Sequence, residues 1–317
     1  MIVFFLLGFQ THSVLNPLIF LFFLTIYMLT VAGNILILII ISTDMRLHSP
    51  MYFFLGNLAA LEIWYITTVY PTLLGAQVGE GIVIARHGCI IQFILFSWFT
   101  GSECFLLTVM AYDRYVAICL PLHYTTLMDK QLCVQLATTT WMLGLIISVI
   151  NGVFLCALEF PHLNEVDHFF CDLAPLIKDA CSDTSQIELE VFLFSFLVVS
   201  APFLLVIISY VYIISAILKI PSTAGKQRAF STCSSHLTIV IAYFGILTLV
   251  YMVPSANQAF NLNKAFSLLY TVGTPLFNPI VYSLRNKEIR EVLKKKLMKV
   301  PRCKCFKILS KSHERKI

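Results

Sequence analysis

Charge is what this chain has least of. Asp, Glu, Lys and Arg make up 12% of its 317 residues, about half of the roughly 25% with which a soluble domain clothes its surface. That deficit excludes a protein bathed in water on all sides and leaves lipid to cover much of it. There is no Gly/Ser-rich or Pro-rich linker and no charge-rich half, so one membrane domain accounts for residues 1–317. Enzyme signatures are missing too. HExxH, a P-loop and GxSxG do not occur, and no nucleophile-plus-base arrangement stands out. The two halves show no repeat of the kind that builds transporters. No N-x-Ser/Thr sequon occurs. Met1 to Gln10 is apolar but lacks the positive start and small-residue site of a cleaved signal peptide, so the first span is expected to act as an uncleaved anchor.

What is abundant is apolar: 58% of residues. A helix crossing hydrocarbon needs about 20 consecutive apolar residues. Seven stretches qualify: Leu15 to Ile41, Met51 to Leu74, Cys89 to Tyr112, Cys133 to Leu158, Val191 to Leu218, Ala229 to Val253 and Ala265 to Leu284. All but three of the 22 Lys and Arg residues fall on one side if the tail is cytoplasmic, the exceptions being Arg86, Lys178 and Lys264. The positive-inside rule then puts the N-terminus outside and the C-terminus in the cytoplasm. The expected fold is an all-α membrane protein, a seven-transmembrane helix bundle. It is followed by an amphipathic helix over about 285–298, with Ile289, Val292, Leu293 and Leu297 on one side, and by a basic tail over 299–317. Such a helix lies along an anionic inner leaflet. Cys89 and Cys171 fall on the oxidising side, where disulfides persist. Cys181 has no evident partner there, with Cys156 as one candidate. Cys303 and Cys305 follow the amphipathic helix and are candidates for palmitoylation.

Ionisable groups at membrane depth are costly and point to function. Glu62 sits midway along the second span and Glu103 midway along the third. If they face each other, either one holds a proton or a cation such as Na⁺ lies between them. A hydrogen-bonded network that merely fixes helix register is the plainer alternative, although polar packing rarely needs two acids. Asn34 and Asn278 read singly as helix-joining amides. Asn278 precedes Pro279, which removes a backbone donor and suits a hinge. His236 on an apolar helix reads first as a satisfied core residue.

The third span ends in Met110-Ala111-Tyr112-Asp113-Arg114-Tyr115-Val116-Ala117-Ile118-Cys119. Leu47 to Leu55 reads LHSPMYFFL, Ala229 to Leu237 reads AFSTCSSHL, and Pro275 to Asn286 reads PLFNPIVYSLRN. Ser209-Tyr210 lies in the fifth span and His168-Phe169-Phe170-Cys171-Asp172 in the long outer loop. In order and spacing this set resembles the olfactory receptors, a branch of the rhodopsin-like G-protein-coupled receptors, over about residues 8 to 298. The resemblance implies a plasma-membrane odorant receptor that activates a stimulatory olfactory-type G protein. A rhodopsin-like receptor for a non-odorant metabolite is the alternative. It implies that Arg114 is the pivot toward helices five and six, flanked by Asp113 and Tyr115. Tyr210 and His236 belong to the same switch, and Asn278, Pro279 and Tyr282 form the inner hinge. It also implies that Glu62 and Glu103 are the family's buried acids and that Cys89 pairs with Cys171. The inner end of the sixth span reads Lys226-Gln227-Arg228, with no acid, so Arg114 is expected to rest on Asp113 or on Tyr210, Ser231 or Thr232.

The chain departs from the family pattern in a short N-terminus without a sequon, in Pro161 where many members carry a cysteine, and in Tyr243-Phe244-Gly245 where Phe-Tyr-Gly is usual. The outer half of the third span has no aspartate to meet an ammonium, and the seventh has no lysine for a retinal Schiff base. The expected ligand is therefore small and mostly neutral, held by apolar burial and one or two hydrogen bonds. By family position its contacts are Phe96, Ser97, Thr100, Gly101, Cys104, Phe194, Ser195, Val198, Leu247, Thr248, Tyr251 and Thr271. No cofactor is implied beyond a bound Na⁺, and no nucleic-acid partner. The acidic outer loop from Glu159 to Glu190 reads as a solvated lid. Tyr251→Phe is expected to weaken the response to any hydroxyl- or carbonyl-bearing agonist. An unchanged dose–response curve would remove Tyr251 from the site.

Overall fold

In the computed structural model, residues 2–9, 15–79, 81–252 and 260–299 are described. Among them seven long helices run in sequence: α1 (Asn16–Thr43), α2 (Pro50–Val78), α3 (Arg86–Cys119), α4 (Lys130–Ala157), α5 (Ser185–Lys219), α6 (Thr223–Met252) and α7 (260–285). A shorter α8 (Lys287–Lys299) follows. Helices are what a chain in lipid must form, because no water is at hand to satisfy backbone groups. By length and composition alone, α1, α3, α4 and α5 are apolar enough to cross a membrane. The expected spans fall on these helices except for Leu15 and Leu158, each one residue outside, and Val253, which lies outside the described residues; elsewhere the helices overrun them. α3 starts three residues before Cys89 and ends at Cys119, so Asp113 and Arg114 lie inside a helix rather than at its end. α5 starts at Ser185, taking Glu188 and Glu190 into its first turns.

Helix starts follow local chemistry. Pro17 and Pro50 sit in first turns, where a missing N–H costs nothing. Asp129 caps α4 by accepting from Leu132 N–H at 2.7 Å, and Asn286 caps α8 by accepting from Glu288 N–H at 3.0 Å. The Tyr52 hydroxyl donates to Asn286 at 3.1 Å and to Glu288 at 2.8 Å, fastening α8 to α2. α5 and α7 each contain a wide π turn, at Phe196–Ser200 and Leu269–Gly273, a distortion frequent at functional sites. α3 and α4 pack at a small-residue contact. A Cβ on Gly144 would lie 2.8 Å from the Trp98 carbonyl. The Trp98 indole donates to the Trp141 carbonyl at 2.8 Å.

The all-α expectation needs one correction. Three four-residue strands, β1 (Val3–Leu6), β2 (Ile82–Ala85) and β3 (Leu163–Val166), form a sheet in the order β2-β1-β3 at the disulfide-bearing end. This is the end that the charge distribution puts outside, and it is called the outer end below. β1 runs antiparallel to β2, with Val3 opposite Ala85, and parallel to β3, with Val3 opposite Leu163. Strands this short carry too little alternation to be read from sequence, and their partners lie far along the chain. Phe4 and Leu6 are fully buried in a core cluster with Cys89, Phe93, Leu155 and Phe160. The Phe4 and Phe160 rings meet edge to face at 5.1 Å. Gly8 turns the chain after β1 with φ of 63°, where a Cβ would come within 2.8 Å of the Ala76 side chain. Phe4→Ala is expected to cost about 3 kcal/mol of stability. Thermal unfolding of the purified receptor against wild type checks it, and an unchanged midpoint would show that the sheet contributes little.

Candidate functional site

The outer loop is not the solvated lid its acidity suggests. Phe169, Phe170 and Cys171 are wholly buried, and His168 and Asp172 nearly so. The cause is covalent and polar together. Cys171 is bonded to Cys89 at the start of α3, and its N–H donates to Gln92 at 3.0 Å. Gln92 in turn donates to the Thr68 carbonyl at 2.9 Å and the Thr72 hydroxyl at 3.0 Å. One amide therefore ties α2, α3 and the loop together. Lys264 of α7 pairs with Asp167 at 2.6 Å and lies over the Phe9 ring. Only the loop's flanks remain exposed. Cys156 and Cys181 are both free thiols, so the second bridge weighed between them is not formed.

Beneath this roof lies a narrow cleft of about 90 Å³ between α3, α4 and α5. Seven of the expected contacts line it: Phe96, Ser97, Thr100, Gly101, Phe194, Ser195 and Val198. Cys104, Leu247, Thr248 and Thr271 do not reach its wall. Cys104 faces the Tyr243 hydroxyl at 3.9 Å, and Thr248 and Thr271 turn back to their own helix carbonyls. The Tyr251 side chain lies outside the described residues. In place of α6 and α7, the structure brings α4 to the wall with Gly144, Ile147, Ser148 and Asn151, and the loop with Asp172 and Leu173. Sequence reasoning missed these residues, and the α4 ones have no signal beyond being small or polar in an apolar run. Asp172 matters more. The absence of an acid from the outer half of α3 argued against a cationic ligand, yet the loop supplies one to the same wall. The Asn151 carbonyl oxygen is buried with no hydrogen-bond partner among the described residues.

Asp172 accepts from Leu173 N–H at 2.8 Å, and the Tyr270 hydroxyl is 3.5 Å away. Burial pushes its carboxyl up to about 6, against the pull of those two donors. Burial, helped by the charge of Lys264, pushes His168 down to about 3, so the ring is neutral; its Nδ1 lies 3.2 Å from the Phe170 carbonyl.

Behind the cleft wall Tyr243 of α6 donates to the Thr100 carbonyl at 3.1 Å. The residue noted as half of a transposed pair thus seals α6 to α3, while Phe244 stacks on Phe203 of α5 with centroids 5.3 Å apart. Below it Glu62 and Glu103 are buried together. Asn278 donates to Glu62 through a short hydrogen bond and to Glu103 at 3.4 Å. The second Glu62 oxygen has no hydrogen-bond partner among the described residues. Three helices therefore meet at one amide. Asn34 stays structural, donating to Thr30 at 3.1 Å and to the Pro275 carbonyl at 3.5 Å.

At the inner end Arg114 pairs with Asp113, at 2.5 and 3.0 Å. Asp113 also accepts from the Tyr124 hydroxyl at 2.8 Å. Tyr210 is engaged elsewhere, with its hydroxyl 2.8 Å from His236 Nδ1 and 3.4 Å from the Cys233 carbonyl. His236 thus joins α5 to α6 through Nδ1, while its Nε2 is buried with no hydrogen-bond partner among the described residues. The Ser231 and Thr232 side chains lie outside the described residues, as do Cys303 and Cys305. Tyr115 packs edge on to Tyr212 at 5.9 Å, and Tyr282 is buried.

A seven-helix membrane bundle, roofed at one end by a disulfide-tied loop and carrying a buried arginine–carboxylate pair at the other, is a G-protein-coupled receptor. Comparison with known proteins narrows the class: a family model described as olfactory receptor matches residues 23–300, and the chain belongs to that family. It is similar to human olfactory receptor 11L1, 43% identical over 300 residues that cover 95% of this chain and 92% of the relative. Human olfactory receptor 6Y1 is 44% identical over 292 residues, covering 92% and 90%. Human olfactory receptor 6X1 is 46% identical over 294 residues, covering 92% and 94%. The chain is a multi-pass plasma-membrane receptor and not an enzyme.

The two buried loop groups make a pH test with opposite signs. The raised pKa of Asp172 gives stability that is full below about pH 4 and lost as pH rises through about 6. The lowered pKa of His168 gives stability that is full above about pH 6.5 and lost as pH falls toward 3. Asp172→Asn is expected to remove the first trend, so its advantage over wild type in thermal unfolding should grow from about pH 4 to about pH 7. Parallel curves for the two proteins would show that Asp172 is not held in a charge-averse site.

Proposed function

We propose that the cleft between α3, α4 and α5 binds a small, largely apolar odorant, and that binding there activates a stimulatory olfactory-type G protein at the opposite, cytoplasmic end. The observation that carries this reading is the series of buried polar groups set along α3 between the two ends. Tyr243 touches the cleft through Thr100. The Glu62–Asn278–Glu103 cluster lies below it, and Arg114 lies below that on α3. An agonist pressing on Phe96, Thr100 or Val198 bears directly on the α3–α6 contact at Tyr243.

In this reading Arg114 leaves Asp113 to meet the G protein, with Tyr115, Tyr210, His236, Asn278, Pro279 and Tyr282 rearranging around it. The resting restraint is a neighbouring carboxylate on the same helix. The energy separating the two states is then within the few kcal/mol that a small ligand supplies by differential binding. Glu62 and Glu103 share a proton or hold Na⁺, and the uncommitted Glu62 oxygen is the place for either. Cys303 and Cys305 carry acyl chains that hold the tail to the inner leaflet. Asp172 and Asn151 add acceptors to the cleft, which favours ligands bearing a hydroxyl or other hydrogen-bond donor.

Cells expressing this chain with a stimulatory olfactory-type G protein are expected to raise cAMP on odorant exposure. Arg114→Ala should abolish the rise at equal surface expression, and Val198→Trp should raise the half-maximal concentration about tenfold or more by filling the cleft. Full signalling by the alanine variant would exclude the pivot role. An unshifted curve for the tryptophan variant would place the ligand elsewhere.

A further inference from the structure

A second void lies at the inner end, well away from the ligand cleft. It measures about 210 Å³ and every residue of its wall is apolar, including Leu29, Leu36 and Ile40 on α1, Pro279 and Ile280 on α7, and Leu293 on α8. Leu29, Leu36 and Ile280 are each more than two-fifths exposed, so the slot opens sideways onto hydrocarbon rather than toward water. An apolar slot facing lipid is filled by whatever the membrane supplies. The question is what chemistry its mouth selects.

The mouth is cationic. Lys296 lies one turn beyond Leu293 on α8, and its ammonium contacts the hydroxyl of Thr43, one turn beyond Ile40 on α1. The acids around it are Asp44, Glu288 and Glu291, and Asp44 feels the charge of Lys296. Asp44 is held by Arg46 at 2.8 Å and Glu288 accepts from Tyr52 at 2.8 Å. Among the described residues no carboxylate pairs with Lys296. A lysine ammonium is a point charge well suited to phosphate, and α8 adds Lys294 and Lys295 as exposed neighbours. We propose that this slot binds one acyl chain of an anionic phospholipid, with the headgroup phosphate seated on Lys296 and Thr43.

The position gives the site a consequence for the receptor. The wall includes Pro279, which directly follows Asn278 and, lacking an N–H, takes one hydrogen bond out of α7. Gly33 brings α1 so close to that point that a Cβ there would lie 3.2 Å from the Pro279 ring. A chain in the slot therefore braces the helix at its weakest point. The inference rests on the membrane fold and on α8 lying at the inner leaflet, and it is independent of the ligand and G-protein assignments.

The test uses the full-length receptor reconstituted in nanodiscs with equal amounts of phosphatidylserine and phosphatidylcholine, extracted gently and weighed by native mass spectrometry. Wild type is expected to retain phosphatidylserine over phosphatidylcholine by about fivefold, the size set by one lysine near an anionic headgroup. Lys296→Glu should lose the preference, and Leu36→Trp should lose the retained lipid by filling the slot. Ile280→Phe, on the opposite wall, serves in its place if the first filling variant does not fold. Equal retention of the two lipids by wild type, or undiminished retention by the filling variant, would overturn the proposal. A rise in retained lipid in the double variant Cys303→Ser/Cys305→Ser would also overturn it, by showing that the chain's own thioester-linked acyl group fills the slot until it is removed. Unchanged retention in that variant is the expected result.

Discussion

Two carboxyl groups and an amide inside a lipid-clad bundle impose more on this molecule than any other contact. Charge is expensive where the dielectric is low, and Glu62 and Glu103 have no basic side chain beside them among the described residues. Asn278 is placed between them to donate to both. Satisfying that triad fixes the rotation of α2, α3 and α7 about their own axes, since turning any one would strand a polar group in hydrocarbon. Pro279 follows at once, so the most constrained point of α7 adjoins its most deformable one.

The outer end is built on a different economy. There the chain reaches water, and cross-linking rather than burial of charge supplies the order. The Cys89–Cys171 bond pulls the loop inward, Gln92 ties it to α2, and β1 lies between strands from two distant segments. The result is a second, smaller core, capped by Phe4 and Leu6, stacked on the main one. Between the two cores lies the cleft proposed for the ligand, and Phe96 spans the junction with its ring centroid 4.7 Å from Phe170 above and 5.5 Å from Tyr65 beside it.

The bundle itself was legible because lipid makes composition decisive. Long apolar runs have one stable outcome in a membrane, and the lone acids in the second and third spans stood out against them. The disulfide and the Asp113–Arg114 pair were legible through motif resemblance. What stayed hidden depends on the third dimension. The burial of the outer loop could not be read from its acidic composition, because that composition averages exposed flanks with a buried centre. Asp172 reaches the cleft wall only because the neighbouring cysteine is tethered. The α4 face at Gly144, Ser148 and Asn151 looks like any small-residue packing stripe in sequence, and becomes a cleft wall only once α5 stands off from it. The three strands are each a single short run whose partners lie tens of residues away.

The cleft is closed above but less so at its side. The buried loop segment with Asp172 and Leu173 covers the outer end, whereas Ile147, Asn151, Val191, Phe194 and Val198, on α4 and α5, remain partly uncovered. A molecule dissolved in the membrane meets that flank directly, while one dissolved in mucus must first displace a cross-linked plug. If the proposed site fills through that flank, the effective dose follows the oil–water partition coefficient. Two odorants of equal shape but unequal greasiness would then differ in apparent potency without a single contact in the binding site being different.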